Sequence, residues 1–192
     1  NCLYWSFGFL RMGTSGMTAQ AYGANNYEES ISILGRALLC ALVIALVILL
    51  FQNPIRSLAF QVIGGSSPEI LQHAGSYYDT RIWAAPATLC LYAFGGWFLG
   101  MQNAMWPLFF AILSNVINML LSFYFVRWQG MGTEGVALGT VLAQYLTLIA
   151  CFIVLRCRFQ SSLSQFNWTT LKHIDRLKDF FTVNRDIFIR TI

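Results

Sequence analysis

Residues 82–126 read IWAAPATLCLYAFGGWFLGMQNAMWPLFFAILSNVINMLLSFYFV, 45 consecutive positions without an Asp, Glu, Lys or Arg. A bilayer's hydrocarbon core of roughly 30 Å takes about 20 helical residues, so this run holds two spans if something between them can turn. Gly100-Met101-Gln102-Asn103-Ala104-Met105-Trp106-Pro107 supplies a glycine, two amides and a proline. Proline cannot donate to the preceding turn and pushes the residue before it, Trp106, out of the α region. The stretch therefore predicts an antiparallel pair of membrane helices over 82–101 and 107–126, joined by a short loop.

The rest of the chain agrees. Hydrophobic residues make up 57% of it and charged residues 10%, against about 25% charged in soluble domains, and the mean hydropathy is +0.58. The expected fold is an all-α integral membrane bundle over residues 1–158. Spans are expected at about 2–23, 37–55, 68–101, 107–126 and 135–155. The five cysteines, Cys2, Cys40, Cys90, Cys151 and Cys157, lack metal-ligand spacing and read as small core residues. Asn1 opens the chain without an initiator methionine, and residues 185–192 look like the start of another span, so the chain is expected to be a piece of something longer.

Within the first span, Arg11 lies roughly 18 Å from the turn at Gly23-Ala24-Asn25-Asn26, near mid-bilayer. An arginine there is either functional or bonded to backbone carbonyls, since burial without a partner is costly. The second span, between Arg36 and Arg56, has almost no polar atoms and reads as a lipid-facing wall. Gly64-Gly65-Ser66-Ser67-Pro68-Glu69 reads as a helix start, after which a helix can run unbroken over 68–101, longer than the bilayer is thick. Its first turns, with Gln72, His73 and Asp79, are expected at or beyond the interface.

Two later spans carry polar stripes. Asn115, Asn118 and Ser122 recur at i, i+3, i+7, and Thr140, Gln144 and Thr147 at i, i+4, i+7, each on one helix face. In hydrocarbon such groups need partners, so the faces look into the bundle or a wet cavity. Gly96 and Gly100 form one small-xxx-small pair, and Gly135 and Gly139 another on a different arc from the polar stripe; both permit close helix approach.

Basic residues crowd 156–185, which by the positive-inside rule is cytoplasmic. Trp168, Leu171, Ile174, Leu177 and Phe181 recur at near-helical spacing, predicting an amphipathic surface helix within a connector over 159–184. No phosphate loop, HExxH or Cys/His constellation is present, and no Asp or Glu falls within the hydrophobic core of any expected span. An intramembrane enzyme is therefore disfavoured, and neither cofactor, metal nor nucleic acid is expected.

Three stretches resemble the MATE (multidrug and toxic compound extrusion) transporters, in particular their DNA-damage-inducible-F-like (DinF-like) branch: FGFLRMGTSGMTAQAYGA (7–24), RIWAAPAT (81–88) running to GWFLGMQN (96–103), and VNRDIFIRT (183–191). The resemblance implies a twelve-helix secondary transporter of two six-helix lobes, of which this chain supplies helices two to six of the first lobe, the connector and the start of helix seven. It implies alternating-access efflux of small amphipathic organic cations in exchange for H+ or Na+ across the inner (plasma) membrane. The partners it implies are the lipid bilayer, those cations and the remaining lobe.

The family's first-lobe coupling pocket uses an aspartate on helix one, Asn-x-x-x-Asp on helix five and a threonine on helix six. Here the helix-five pattern reads Asn118-Met119-Leu120-Leu121-Ser122, with serine in the aspartate's place, and Thr140 stands at the helix-six position. Serine carries no charge at neutral pH, so coupling would rest more on a helix-one aspartate. The expected cavity residues are Asn118, Ser122, Thr140, Gln144, Asn115 and Arg11. A lipid-linked-precursor flippase would share the fold but need more cationic lining, and a non-transporting scaffold remains the other alternative.

Overall fold

Two of the described helix ends are set by single residues that accept left-handed backbone. The computed structural model describes residues 7–62, 68–160 and 182. Its first helix, α1, runs Gly8–Gly23 and closes at Asn25, where φ is 56°. There Asn25 N–H donates to the Tyr22 carbonyl (3.0 Å) and Asn26 N–H to the Ala21 carbonyl (2.9 Å), pairing carbonyls that the helix end would leave orphaned. The same closure ends α5 (Ala85–Gly100): Gln102 takes φ 57°, and Gln102 and Asn103 donate to Leu99 and Phe98, each at 3.0 Å. With the reversal completed there, α6 starts at Met105 and runs to Arg127. Pro107 therefore sits inside its first turn, where the missing N–H costs nothing, and Trp106 is helical rather than excluded.

The second span differs from its expected bounds. α2 runs Tyr27–Leu50, ten residues earlier than expected, because Asn26 Oδ1 caps it by accepting from Glu29 N–H at 3.0 Å. Arg36 does not end the span: its guanidinium Nη1 lies 2.9 Å from Glu29 Oε1, with the Arg36 side chain 1% exposed. A charge paired two turns earlier on its own helix can sit inside the bundle. Nor is α2 only a lipid-facing wall. Ala37, Ala41 and Ala45 are buried at four-residue spacing, while Leu42, Val43, Leu46 and Leu50 are exposed. One small-residue stripe faces inward and a branched face looks out.

After Phe51 the chain forms a short helix, α3 (Gln52–Val62), so the expected span 37–55 closes at Leu50. The helix-start signature at residues 64–67 lies outside the described residues. α4 spans Pro68–Arg81 and is broken from α5 by a 3-10 turn at Ile82–Ala84. Pro86 has no N–H to reach Ile82, and Ala85 N–H takes that carbonyl instead, so the expected long helix passes through a 3-10 turn here. The last helix, α7, runs Gly132–Arg158, longer than expected at both ends. Among the described residues, four helical stretches are long and apolar enough to cross a membrane: Tyr27–Leu50, Leu71–Gly100, Met105–Arg127 and Gly132–Arg158. The first five residues of the expected span 2–23, the connector helix and the final segment fall outside the described residues.

α5 is the hub, packed against α1, α2 and α7, while α6 leans chiefly on α7 and α4 on α7. Trp97 of α5 is fully buried and donates from Nε1 to the Ser30 carbonyl (3.0 Å) and Ser30 Oγ (3.1 Å), so its one polar atom is satisfied. Its ring meets Phe98 and Phe159 at centroid distances of 5.1 Å, tying the ends of α2, α5 and α7 together. Small residues fix the α1–α5 crossing. A methyl on Gly100 would stand 2.5 Å from Thr18 Cβ and 2.7 Å from the Ser15 carbonyl, and one on Gly96 would collide with the Arg11 carbonyl.

Candidate membrane-embedded polar site

The α6–α7 pair is antiparallel, and its crossing builds the site. A methyl on Gly139 would lie 2.7 Å from Ser122 Oγ and 2.8 Å from Ser122 N, and one on Gly135 would meet Phe125 Cβ at 3.0 Å. The α7 glycine arc thus packs against Ser122 of the α6 polar stripe. That proximity lines up a chain of hydrogen bonds. Ser122 Oγ donates to Asn118 Oδ1 at 2.9 Å, Asn118 Nδ2 donates to Thr140 Oγ1 at 3.1 Å, and Thr140 Oγ1 donates to the Val136 carbonyl at 2.9 Å.

Counting donors shows what the cluster can do. Both hydroxyl protons are committed, leaving oxygen lone pairs and one amide N–H of Asn118. Neutral oxygens of this kind can ligate a hard cation, but none of the three takes up a proton near neutral pH. Among the described residues, no three His, Cys, Asp or Glu side chains gather as a metal site.

One turn before Asn118, the same α6 face becomes the wall of a cavity of about 290 Å³ between α1, α5, α6 and α7, with Arg11, Tyr92, Ser114, Asn115 and Thr147 in its lining. Thr147 is buried and spends its hydroxyl proton on the Ala143 carbonyl at 2.7 Å. Arg11 enters from α1, where Gly96 admits its backbone, and its side chain crosses Gly95, whose added methyl would touch Arg11 Cδ at 3.8 Å. No hydrogen bond or ion pair holds the Arg11 guanidinium among the described residues.

Gln144 goes elsewhere. Its Oε1 accepts from Thr88 Oγ1 at 2.6 Å and faces Arg81 Nη1 at 3.4 Å, a second cluster facing α4 and α5 rather than the Arg11 cavity. The six expected cavity residues thus divide: Asn118, Ser122 and Thr140 bond to one another, Asn115 and Arg11 share the cavity, and Gln144 stands apart. Sequence reasoning missed Thr88 and Arg81 as its partners. Their signal was the seven-residue spacing that puts both on one helix face, but the 3-10 turn between them hid it. It also missed the Glu29–Arg36 pair, at the same spacing within α2.

The family model MatE matches residues 1–124 of the chain. The chain belongs to this family. It is 36% identical over 186 residues to DNA damage-inducible protein F of Escherichia coli, covering 96% of this chain and 40% of that protein. It is 31% identical over 121 residues to Protein DETOXIFICATION 43 of Arabidopsis thaliana, covering 62% of this chain and 23% of that one. The fold matches multidrug resistance MATE family transporters of the MOP superfamily solved in inward-facing and outward-facing conformations. Both give a TM-score of 0.81, at 22% and 19% identity, covering 96% of this chain and 42% and 41% of those chains. This MatE chain is therefore an all-α, multi-pass membrane protein that spans 40% or less of the length of these curated relatives.

Proposed function

We propose that the chain forms most of the first lobe of a secondary active exporter, which moves small amphipathic organic molecules outward in exchange for H+ or Na+ by alternating access. The observation carrying this reading is the Ser122–Asn118–Thr140 hydrogen-bond chain, set between two membrane helices about one helical turn along α6 from Asn115 of the Arg11 cavity. Interhelical polar contacts in membranes are worth only about 0.6 kcal/mol on average, so three aligned groups beside a cavity are poorly explained as adhesive alone. Neutral oxygens suit Na+ directly, and H+ coupling would need a carboxylate from another segment, because Ser122 supplies none. The remaining lobe would bound the pathway from the other side. The setting is the plasma membrane, with residues 156–185 on the cytoplasmic side, and no enzymatic activity is assigned.

The full-length protein in proteoliposomes provides the test. Asn118→Ala and Thr140→Ala are expected to cut ion-driven substrate flux and resistance by about tenfold or more, an effect of about 1.4 kcal/mol on the coupled step. Unchanged flux in both variants overturns the assignment. Organic cations are the cargo class implied by the family resemblance.

A further inference from the structure

The long apolar stretch Leu71–Gly100, built from α4 and α5, is soft at one place. At Ile82–Ala84 it tightens to a 3-10 turn, a form that in mid-helix often marks a functional hinge. Pro86 offers the Ile82 carbonyl no N–H, and the Ala85 N–H takes that carbonyl instead. One of the i to i+4 bonds that would stiffen a continuous helix is therefore missing at the turn.

α7 bridges this place from alongside, with two consecutive residues. Tyr145 Oη donates to the Trp83 carbonyl at 3.0 Å, inside the turn. Gln144 Oε1 accepts from Thr88 Oγ1 at 2.6 Å, beyond the turn, and from Arg81 Nη1 at 3.4 Å, before it. Groups on both sides of the turn are thus gathered onto one neighbouring helix. Thr88 has a second acceptor, the Ala84 carbonyl at 2.9 Å. Its single hydroxyl proton is satisfied whether it goes to Gln144 or to its own helix, so releasing Gln144 leaves no orphaned donor at Thr88.

On the α4 side of the turn, α3 is fastened to α4. Tyr78 Oη donates to the Gln52 carbonyl at 3.1 Å, and Arg56 Nη1 pairs with Asp79 Oδ2 at 3.0 Å. The Arg56 guanidinium lies over Gly75, where an added methyl would stand 2.7 Å from Nη2.

We propose that the 3-10 turn at Ile82–Ala84 is a hinge, and that Gln144 and Tyr145 are positioning residues that clasp it, so that their release lets α3 and α4 tilt together against α5. The proposal rests on the exporter reading, to which it adds a place where the first lobe bends during alternating access.

The test uses full-length protein in lipid nanodiscs, with the native cysteines replaced by alanine and spin labels at Tyr77→Cys on α4 and Leu99→Cys on α5. Both positions are exposed, and electron paramagnetic resonance reads the distances between them. Gln144→Leu is expected to raise the population of a second, tilted distance at least about threefold over wild type, as loss of one hydrogen bond to the closed state would. Tyr145→Phe, the milder change, should act in the same direction. Pro86→Ala restores the missing N–H and should lower that population. In proteoliposomes Pro86→Ala should also cut maximal ion-driven flux per folded transporter by about fivefold, with the half-saturating substrate concentration unchanged. A purely structural contact would lower the thermal stability of Gln144→Leu while leaving its distances as in wild type, and that result overturns the proposal. Wild-type flux in Pro86→Ala also overturns it. Distances that respond as expected, in a wild-type protein without ion-driven flux, sink the exporter and leave the hinge. Ion-driven flux in wild type with distances that ignore all three variants sinks the hinge and leaves the exporter.

Discussion

Arg11 and Arg36 lie well inside α1 and α2, and their surroundings are opposite. Arg36 on α2 is fully buried, with Glu29 at 2.9 Å and the Trp97–Ser30 contact beside it on the same helix. Arg11 on α1 is exposed, borders a cavity, and has no bonded partner among the described residues. Burial with a built-in counter-charge marks a structural role, because nothing has to arrive for the charge to be satisfied. The Arg11 charge borders open space, and its counter-charge is not among the described side chains. The difference shows that an intramembrane arginine is assigned by its neighbours rather than its depth.

The largest effect should come from breaking the satisfied pair. Arg36→Gln leaves Glu29 facing the bundle without its cation, and loss of one partner of a buried pair typically costs about 3–5 kcal/mol. Thermal unfolding in detergent should show a clear loss of stability, and Arg36→Gln combined with Glu29→Gln should recover part of it. If the single variant is as stable as wild type, Arg36 is not the structural arginine and the contrast fails. Next is Gly96→Val, which places a side chain where the Arg11 carbonyl sits. Overpacking of this kind costs about 1–3 kcal/mol. Because it pushes α1 off α5, it should also disturb the Arg11 cavity while leaving the Glu29–Arg36 pair in place.

A smaller loss tests the frame around Arg36. Trp97→Phe keeps most of the ring but removes the Nε1 donor that reaches Ser30 at 3.0 and 3.1 Å. The expected cost is about 1–1.5 kcal/mol, read from the same unfolding curves. A neutral result would mean that stacking on Phe98 and Phe159, rather than the hydrogen bond, holds the end of α2.

Some of this was legible in the residues and some was not. The charge-free run 82–126 fixed two helices and their reversal, since length and composition alone require them. The i, i+3, i+7 stripe put Asn118 and Ser122 on one face, and the partner stripe brought Thr140 opposite. Gln144 shares that second stripe, yet helix periodicity cannot say which of two neighbouring helices a wide face meets, and it met Thr88 instead. Arg36 was read as the edge of a span because a lone charge usually ends one. Its cancellation by Glu29 seven residues earlier depends on the Asn26 cap starting the helix sooner, a tertiary outcome that hydropathy does not register. Pro107 was given a breaking role that Gln102 had already performed, by adopting the left-handed backbone that a glycine is usually expected to supply.

The smallest expected effect on stability sharpens the comparison most. Arg11→Gln removes a charge that no described side chain satisfies, so folding loses no ion pair, and the change should stay within about 0.5 kcal/mol, as at surface positions free of special contacts. The two arginines should therefore separate in the same unfolding measurement, with a loss at Arg36 and little at Arg11. A loss of about 3 kcal/mol in Arg11→Gln would show instead that a carboxylate of the protein holds this guanidinium. Arg11 would then be a second Arg36, its counter-charge internal.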